Sequence, residues 1–179
     1  YNAEYSAPWS FRAPPSSILT PYFAPNGGHV IIFHLLTEGR AQARLEGGKN
    51  IQLEGGDIVV FPHGESHIME NGLNPVTVDN EKELLRIMSQ GLKLATNEGK
   101  GEQTKFVCGY LSCHPRLSNV FLSALPGIFK VNIRDGSTGR WLEDSLRFSV
   151  MKADASDSGG ALVLSKLSEV LFIETLRRY

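Results

Sequence analysis

Between residues 29 and 61 the chain repeats short β-type segments separated by turns that contain glycine. The four segments are His29–Leu36, Arg40–Glu46, Lys49–Leu53 and Asp57–Phe61. From Arg40 to Leu45 polar and apolar residues alternate, which is typical of an antiparallel strand with one buried face. Short strands at such even spacing predict a β-sandwich or β-barrel.

Length, charge and cysteine content narrow the class of protein. A chain of 179 residues is long enough for one domain with a sizeable core. The net charge of −1 gives no sign of a nucleic-acid-binding surface. No apolar run approaches the roughly 20 residues of a membrane span. The two cysteines argue against a disulfide scaffold and favour a reducing, cytoplasmic compartment.

The regions around this β core have mixed character. Trp9 and Phe11 predict a short strand that ends at Pro14-Pro15. Residues 72–104 interrupt the β pattern, and their apolar spacing predicts a helical insertion in a loop. Further predicted elements are the strand Phe106–Cys113, a short helix opened by His114-Pro115, and the strand Ile128–Ile133.

After residue 136 the pattern becomes helical, so we expect a β domain over 1–136 and a helical segment over 137–179. The second of two predicted helices runs from Ala161 to Tyr179. Its main apolar stripe comprises Val163, Leu164, Leu167, Val170 and Leu171, and a second line comprises Leu162, Ile173 and Leu176. A helix that is apolar on two sides needs two neighbours, which predicts self-association through residues 161–179. The alternative is that the two helices simply cover the β domain.

The stretch from Gly56 to Asn71 carries the most specific spacing in the chain. The fixed positions are Gly56, Pro62, Gly64, His67 and Asn71. They resemble the second conserved motif of the cupin superfamily, and His34–Gly39 stands where the first cupin motif belongs. The resemblance implies a mainly β fold with C-terminal helices: a cupin-like β-barrel (double-stranded β-helix, or jelly roll) followed by a helical dimerisation pair.

A set of segments in fixed order extends this resemblance over most of the chain. These segments are Ala7–Trp9, Phe33–Gly39, Gly56–His67, Val107–Leu111 and Leu125–Phe129. Together they resemble the amino-terminal cupin sensor domain of AraC-type transcription regulators. The resemblance implies a homodimer that responds to an effector, and a helix-turn-helix DNA-binding domain beyond Tyr179 that this stretch lacks.

Cupin enzymes hold a metal with three histidines and a glutamate. By resemblance, the first histidine is His34 and the third is His67, whereas the second position is Leu36. The glutamate position falls at Arg40 or Ala41. Neither Leu36 nor the residue at the glutamate position can bind a cation, so the resemblance implies a protein that is not an enzyme.

Three soft or nitrogen ligands could still converge: His34, His67 and Cys108. Two imidazoles and a thiolate suit zinc or another divalent metal, in a site left open for water or an effector. We expect such a metal to lower the pKa of the Cys108 thiol and to make Cys108 more sensitive to oxidants than Cys113. The alternative is that both histidines are hydrogen-bonded core residues and that Cys108 is a small buried hydrophobe. Trp9 and Arg40 are candidates for an effector pocket.

Three functions therefore remain. The favoured hypothesis is a sensing and dimerising domain, with a small-molecule or oxidant effector, DNA contact only through the missing domain, and no membrane contact. The second is a small metal-dependent cupin enzyme, an oxygenase or isomerase. The third is a purely structural dimerisation module with a filled barrel.

Overall fold

A computed structural model describes residues 1–25, 28–79, 81–82, 86, 95–97, 99–113, 122–152 and 158–179. The strands are β1 Asn2–Ser6, β2 Trp9–Ala13, β3 His29–Glu38, β4 Arg40–Leu45, β5 Ile51–Glu54, β6 Asp57–Phe61, β7 His67–Asn71, β8 Thr77–Asp79, β9 Ala95–Thr96, β10 Gln103–Cys113 and β11 Phe129–Asn132. The helices are α1 Ser16–Phe23, a 3-10 turn Leu122–Ala124, α2 Ser137–Lys152 and α3 Ser158–Arg178. None of the helices in these ranges is long and apolar enough to cross a membrane.

The strands form two sheets. The larger sheet has six strands in the order β11-β6-β3-β10-β1-β9, and the smaller has five in the order β5-β4-β7-β2-β8. One buried apolar cluster draws side chains from both sheets, which shows that they face each other. The mainly β architecture with C-terminal helices predicted from the sequence is therefore confirmed.

The six-stranded sheet is buried on both faces. Along β3, Ile32 and Leu36 point into the space between the sheets, whereas Phe33 and Leu35 belong to a separate apolar cluster on the opposite face. This is why β3 is a nearly uninterrupted apolar run, while β4 alternates because its sheet has one solvated face.

Helices α2 and α3 form the layer over the outer face of the larger sheet. Leu146 and Val150 of α2, with Leu164 and Leu171 of α3, complete the outer cluster. The two helices therefore cover the β domain, and self-association through α3 stays a prediction.

The main stripe predicted for α3 is divided between two faces. Leu164 and Leu171 are buried, and Leu167 packs partly buried beside them. Val163 and Val170 are exposed. A prediction that treats all five as one contact face is wrong, because the stripe spans both the sheet-facing side and the side that faces away.

The N-terminal region and two loops differ from expectation or lie outside the described residues. The sequence did not indicate β1 or helix α1, which begins directly after Pro15. Proline is tolerated at a helix start because the first amide donors have no partner within the helix. Here the Ser16 amide donates to the carbonyl of Gly64 over 2.7 Å. The helices predicted within residues 72–104 and after His114 fall mainly outside the described ranges.

Two adjacent positions on α3 test this packing. Leu171→Ala should lower the free energy of unfolding by about 2 to 5 kcal/mol, because it leaves a cavity under a fully buried side chain. Val170→Ala should change it by less than about 0.5 kcal/mol, because Val170 is exposed. Urea unfolding at low protein concentration measures both. Equal effects of the two substitutions would contradict the burial of Leu171 and the exposure of Val170.

Candidate functional site

The structure brings His34, His67 and Cys108 together in the space between the sheets. His34 on β3 lies directly opposite Cys108 on β10. The Nδ1 atom of His34 is 2.9 Å from Sγ of Cys108, and its Nε2 atom is 2.8 Å from Nε2 of His67. His67 Nδ1 lies 3.1 Å from the backbone carbonyl oxygen of Glu65. The four groups form a continuous chain, with His34 in its middle.

The Glu65 carbonyl fixes the proton positions along this chain. A carbonyl oxygen only accepts, so His67 Nδ1 carries a hydrogen and donates it. In the neutral ring, His67 Nε2 is then an acceptor, and His34 Nε2 donates to it. His34 Nδ1 is left as an acceptor for the Cys108 thiol. Every nitrogen in the chain is satisfied with all three side chains uncharged.

Burial favours the same uncharged state. All three side chains are buried, and His67 is fully so. Removal from water lowers the pKa of His67 to about 4 and lowers the pKa of His34 well below its ordinary value, with the neighbouring His67 contributing in the second case. Burial raises the pKa of the Cys108 thiol to about 11. Burial is the largest cause of this shift, and the expected lowering of the Cys108 pKa by a bound metal stays a prediction.

The β6–β7 turn holds His67 in place. Gly64 has φ of +65°, and a Cβ there would lie 2.1 Å from Oγ of Ser16. Only glycine fits both the left-handed backbone and the close approach of helix α1. The ring of Phe61 stacks on His67 with centroids 3.6 Å apart and planes 13° apart. Gly64 and the stacked rings of Phe61 and His67 explain the Gly64–His67 part of the motif by packing.

Trp9 and Arg40, the predicted effector-pocket residues, lie at one end of the β-sandwich. Arg40 is exposed, and its Nε and Nη2 atoms donate to the two carboxylate oxygens of Glu102 over 3.1 and 3.3 Å. Trp9 lies opposite Asn71 in the β2–β7 register. Asn71 donates to Oγ1 of Thr104, which in turn donates to the carbonyl of Arg40. Asn71 therefore connects the surroundings of the two predicted residues.

A surface pocket of about 220 Å³ opens at this end. Its lining consists of Arg40, Ala41, Gln42, Gln52, Asn71 and Glu102. Sequence reasoning found only Arg40 among these residues. The hairpin β4–β5 pairs Gln42 with Gln52, so the strand register was a usable signal for two of them. No local pattern points to Glu102, because it reaches Arg40 from a distant part of the chain.

Similarity to known proteins identifies the family of this chain. A family model described as cupin matches residues 1–179. The chain belongs to the cupin family. It is also 25% identical over 153 residues to the HTH-type transcriptional regulator AlkR of Acinetobacter baylyi, an alignment that covers 82% of this chain and 49% of AlkR. This cupin thus spans about half the length of that relative.

Among solved structures, the cupin is similar to the Escherichia coli protein YhaK. The TM-score is 0.40 at 14% sequence identity, and the match covers 75% of this chain and 41% of YhaK.

The residues of this cupin, as arranged, do not fit a metal held by His34, His67 and Cys108. The two nitrogens of the His34 ring point in different directions, one toward His67 and the other toward Cys108, so they cannot aim at one ion. Leu36 and Ala41 occupy inward positions and offer no ligand, while Arg40 is exposed on the surface. Within the described ranges, no group of three or more His, Cys, Asp or Glu side chains is placed to hold a metal ion. Zinc binding stays a prediction.

The histidine chain predicts how stability depends on pH. The unfolded chain takes up a proton at His67 near pH 6.5, whereas the folded protein does so only near pH 4. The unfolded state thus binds more protons between these values, and stability falls as pH falls through this window. The loss due to His67 should be on the order of 3 kcal/mol.

Denaturant unfolding between pH 8 and pH 4.5 tests this dependence. His67→Gln keeps a donor for Glu65 and an acceptor for His34 but cannot titrate, so its stability should fall less than that of the wild type. His63→Gln, at an exposed histidine, is the matched control for the loss of one imidazole. Parallel profiles for wild type and His67→Gln would show that His67 does not titrate as described.

The two cysteines should differ in reactivity in the order opposite to the sequence-based expectation. Cys108 is 3% exposed and bonded to His34, whereas Cys113 is only partly buried. In the native protein, Ellman's reagent should label Cys113 first and Cys108 only at the rate of opening. The Cys108→Ser variant should therefore retain the fast labelling phase, and Cys113→Ser should lose it. Loss of the fast phase in Cys108→Ser would show that Cys108 is the more reactive thiol.

Proposed function

We propose that residues 1–179 are the effector-sensing and dimerising part of an AraC-type, DNA-binding transcription regulator. The observation that carries the proposal is the similarity to the HTH-type regulator AlkR, combined with the cupin family match over the whole chain. The alignment leaves about half of AlkR unmatched, which is where a DNA-reading part would lie. Such a regulator would act in the cytoplasm and reach DNA only through that part.

The outer surface of α3 supports a second copy of this chain as a partner. Leu162, Val163, Val170 and Ile173 are between 44% and 64% exposed. Leu162 and Ile173 lie on the side of α3 opposite to the buried Leu164 and Leu171, and Val163 and Val170 flank that side, each about 100° around the helix from the buried leucine that follows it. Exposed apolar surface of this kind marks a contact site in a soluble protein.

The order of residues along this surface is self-complementary. If two copies of α3 cross antiparallel about a point between Leu167 and Ser168, Leu162 of each copy meets Ile173 of the other. The same geometry places Lys166 of each copy beside Glu169 of the other. A twofold axis generates every such contact twice, as expected for a symmetric dimer. Within one chain Lys166 and Glu169 already pair over 3.0 Å, so both charges lie on the surface in question.

The enzyme alternative would need ligands at the positions where this cupin has Leu36 and Ala41, and no observation favours it. The purely structural alternative shares the dimer but predicts no ligand. Ligand-binding experiments distinguish the structural hypothesis from the sensing hypothesis, whereas measurements of the oligomeric state do not.

Charge reversal tests the dimer. Lys166→Glu alone should weaken association several-fold, because it brings like charges together across the twofold axis. Glu169→Lys alone should do the same. The double variant Lys166→Glu/Glu169→Lys exchanges the charges and should restore association. Sedimentation equilibrium gives the dissociation constants, and thermal unfolding checks that each variant folds.

The apolar part of the surface has its own variant. Ile173→Asp should give monomers that retain the circular dichroism spectrum of the wild type, because Ile173 is 64% exposed and lies outside both cores. A wild-type chain that stays monomeric at high concentration, or charge variants that all behave alike, would contradict dimerisation through α3.

A further inference from the structure

We propose that the pocket at the end of the sandwich binds a small carboxylate that also carries hydroxyl groups. The inference rests on the proposed sensing function and assigns it a site and a ligand class. The pocket has a volume of about 220 Å³, which accommodates a molecule of sugar-acid size. Its lining combines one guanidinium, one carboxylate and three side-chain amides: Arg40, Glu102, Gln42, Gln52 and Asn71.

The guanidinium of Arg40 is a carboxylate-binding group, and in this structure it binds the carboxylate of Glu102. The two donors of Arg40 reach both oxygens of Glu102, which is the two-point geometry that a guanidinium makes with any carboxylate. The side chains are 74% and 40% exposed, so water screens the pair and little free energy opposes its opening. A ligand carboxylate can therefore replace Glu102 on Arg40.

The amides determine what the rest of the ligand should offer. Each amide both donates and accepts hydrogen bonds, as a hydroxyl group does, and the three stand on β4, β5 and β7 around the guanidinium. Gln42 Oε1 already accepts from Asn50, and Asn71 already donates to Thr104. A ligand with several hydroxyl groups would use the donors and acceptors that these bonds leave, whereas a hydrocarbon chain would cover them without pairing them.

Trp9 adds a second and independent observation. Directly opposed residues of paired strands lie on the same face, so the Trp9 side chain lies beside that of Asn71. Trp9 is 5% exposed, and its Nε1–H finds no acceptor among the described residues. A buried indole donor is usually satisfied. A ligand hydroxyl that enters past Asn71 would supply the missing acceptor.

The experiment uses Trp9 as its own reporter. The chain contains two tryptophans, so Trp141→Phe, on the distant helix α2, leaves Trp9 as the only one. Sodium gluconate is the probe, and sorbitol, which has the same carbon skeleton without the carboxylate, is the matched control. At constant ionic strength, gluconate should produce a saturable change in Trp9 fluorescence and sorbitol should not.

Two variants of the ion pair distinguish binding from a structural role. Arg40→Gln should weaken gluconate binding by about tenfold, since it removes the two-point contact. Glu102→Gln should strengthen it several-fold, since it removes the competing carboxylate. Both changes break the same ion pair, so a purely structural role would make them act in the same direction.

Equal responses to gluconate and sorbitol, no saturable response, or parallel effects of the two variants would overturn this inference. Sedimentation of the same samples keeps the two proposals apart. A dimer that persists without gluconate binding removes the assigned site and leaves dimerisation intact.

Discussion

Burial of the six-stranded sheet on both faces is the constraint on which the other features depend. Its inner face packs on the smaller sheet and contributes His34 and Cys108 to the interior, while its outer face needs α2 and α3 as a cover. The cover uses one side of each helix only. The exposed apolar residues of α3 are therefore not needed for the fold of one chain, and they are the basis for proposing a second copy as partner.

In the interior chain, two histidines at positions that resemble cupin ligand positions satisfy their hydrogen bonds with protein groups alone. With Leu36 and Ala41 in place of two ligands, a cation would be poorly held, and the remaining polar groups must satisfy one another. They do so because one backbone carbonyl, that of Glu65, sets the direction of every hydrogen bond from His67 to Cys108. Burial of the two histidines in their uncharged form makes the stability of the fold depend on pH, and their ring nitrogens are all hydrogen-bonded.

Structure could be predicted from the sequence where a residue pattern had a single structural explanation. Glycine spacing and alternation located β3 to β6, and the inward positions of His34 and His67 followed from the motif. The sequence was ambiguous where apolar residues had two possible neighbours, as on α3, where Leu171 and Val170 are alike in sequence and opposite in burial. It could not reveal Glu102 beside Arg40, since 62 residues separate them and the pairing of β10 with β3, which sets Lys105 opposite Glu38, brings them together.

The end of β3, which lies next to the pocket, also contacts helix α2 and the loop that precedes it. The carbonyl of Thr37 accepts from Arg134 over 2.6 Å, and Arg134 donates to the buried Glu143 of α2 over 2.8 Å. Glu38 accepts from Arg147 of α2 over 3.1 Å. Gly56 must be glycine here, since its φ is +97° and a Cβ would lie 2.6 Å from Cδ of Arg134. Arg40 follows Glu38 by two residues and Thr37 by three. The proposed pocket therefore borders the β3–β4 turn that contacts α2, and α2 packs on α3, which carries the proposed dimer surface. The side chains between them are Arg134, Glu143, Glu38 and Arg147, all of them in ion pairs.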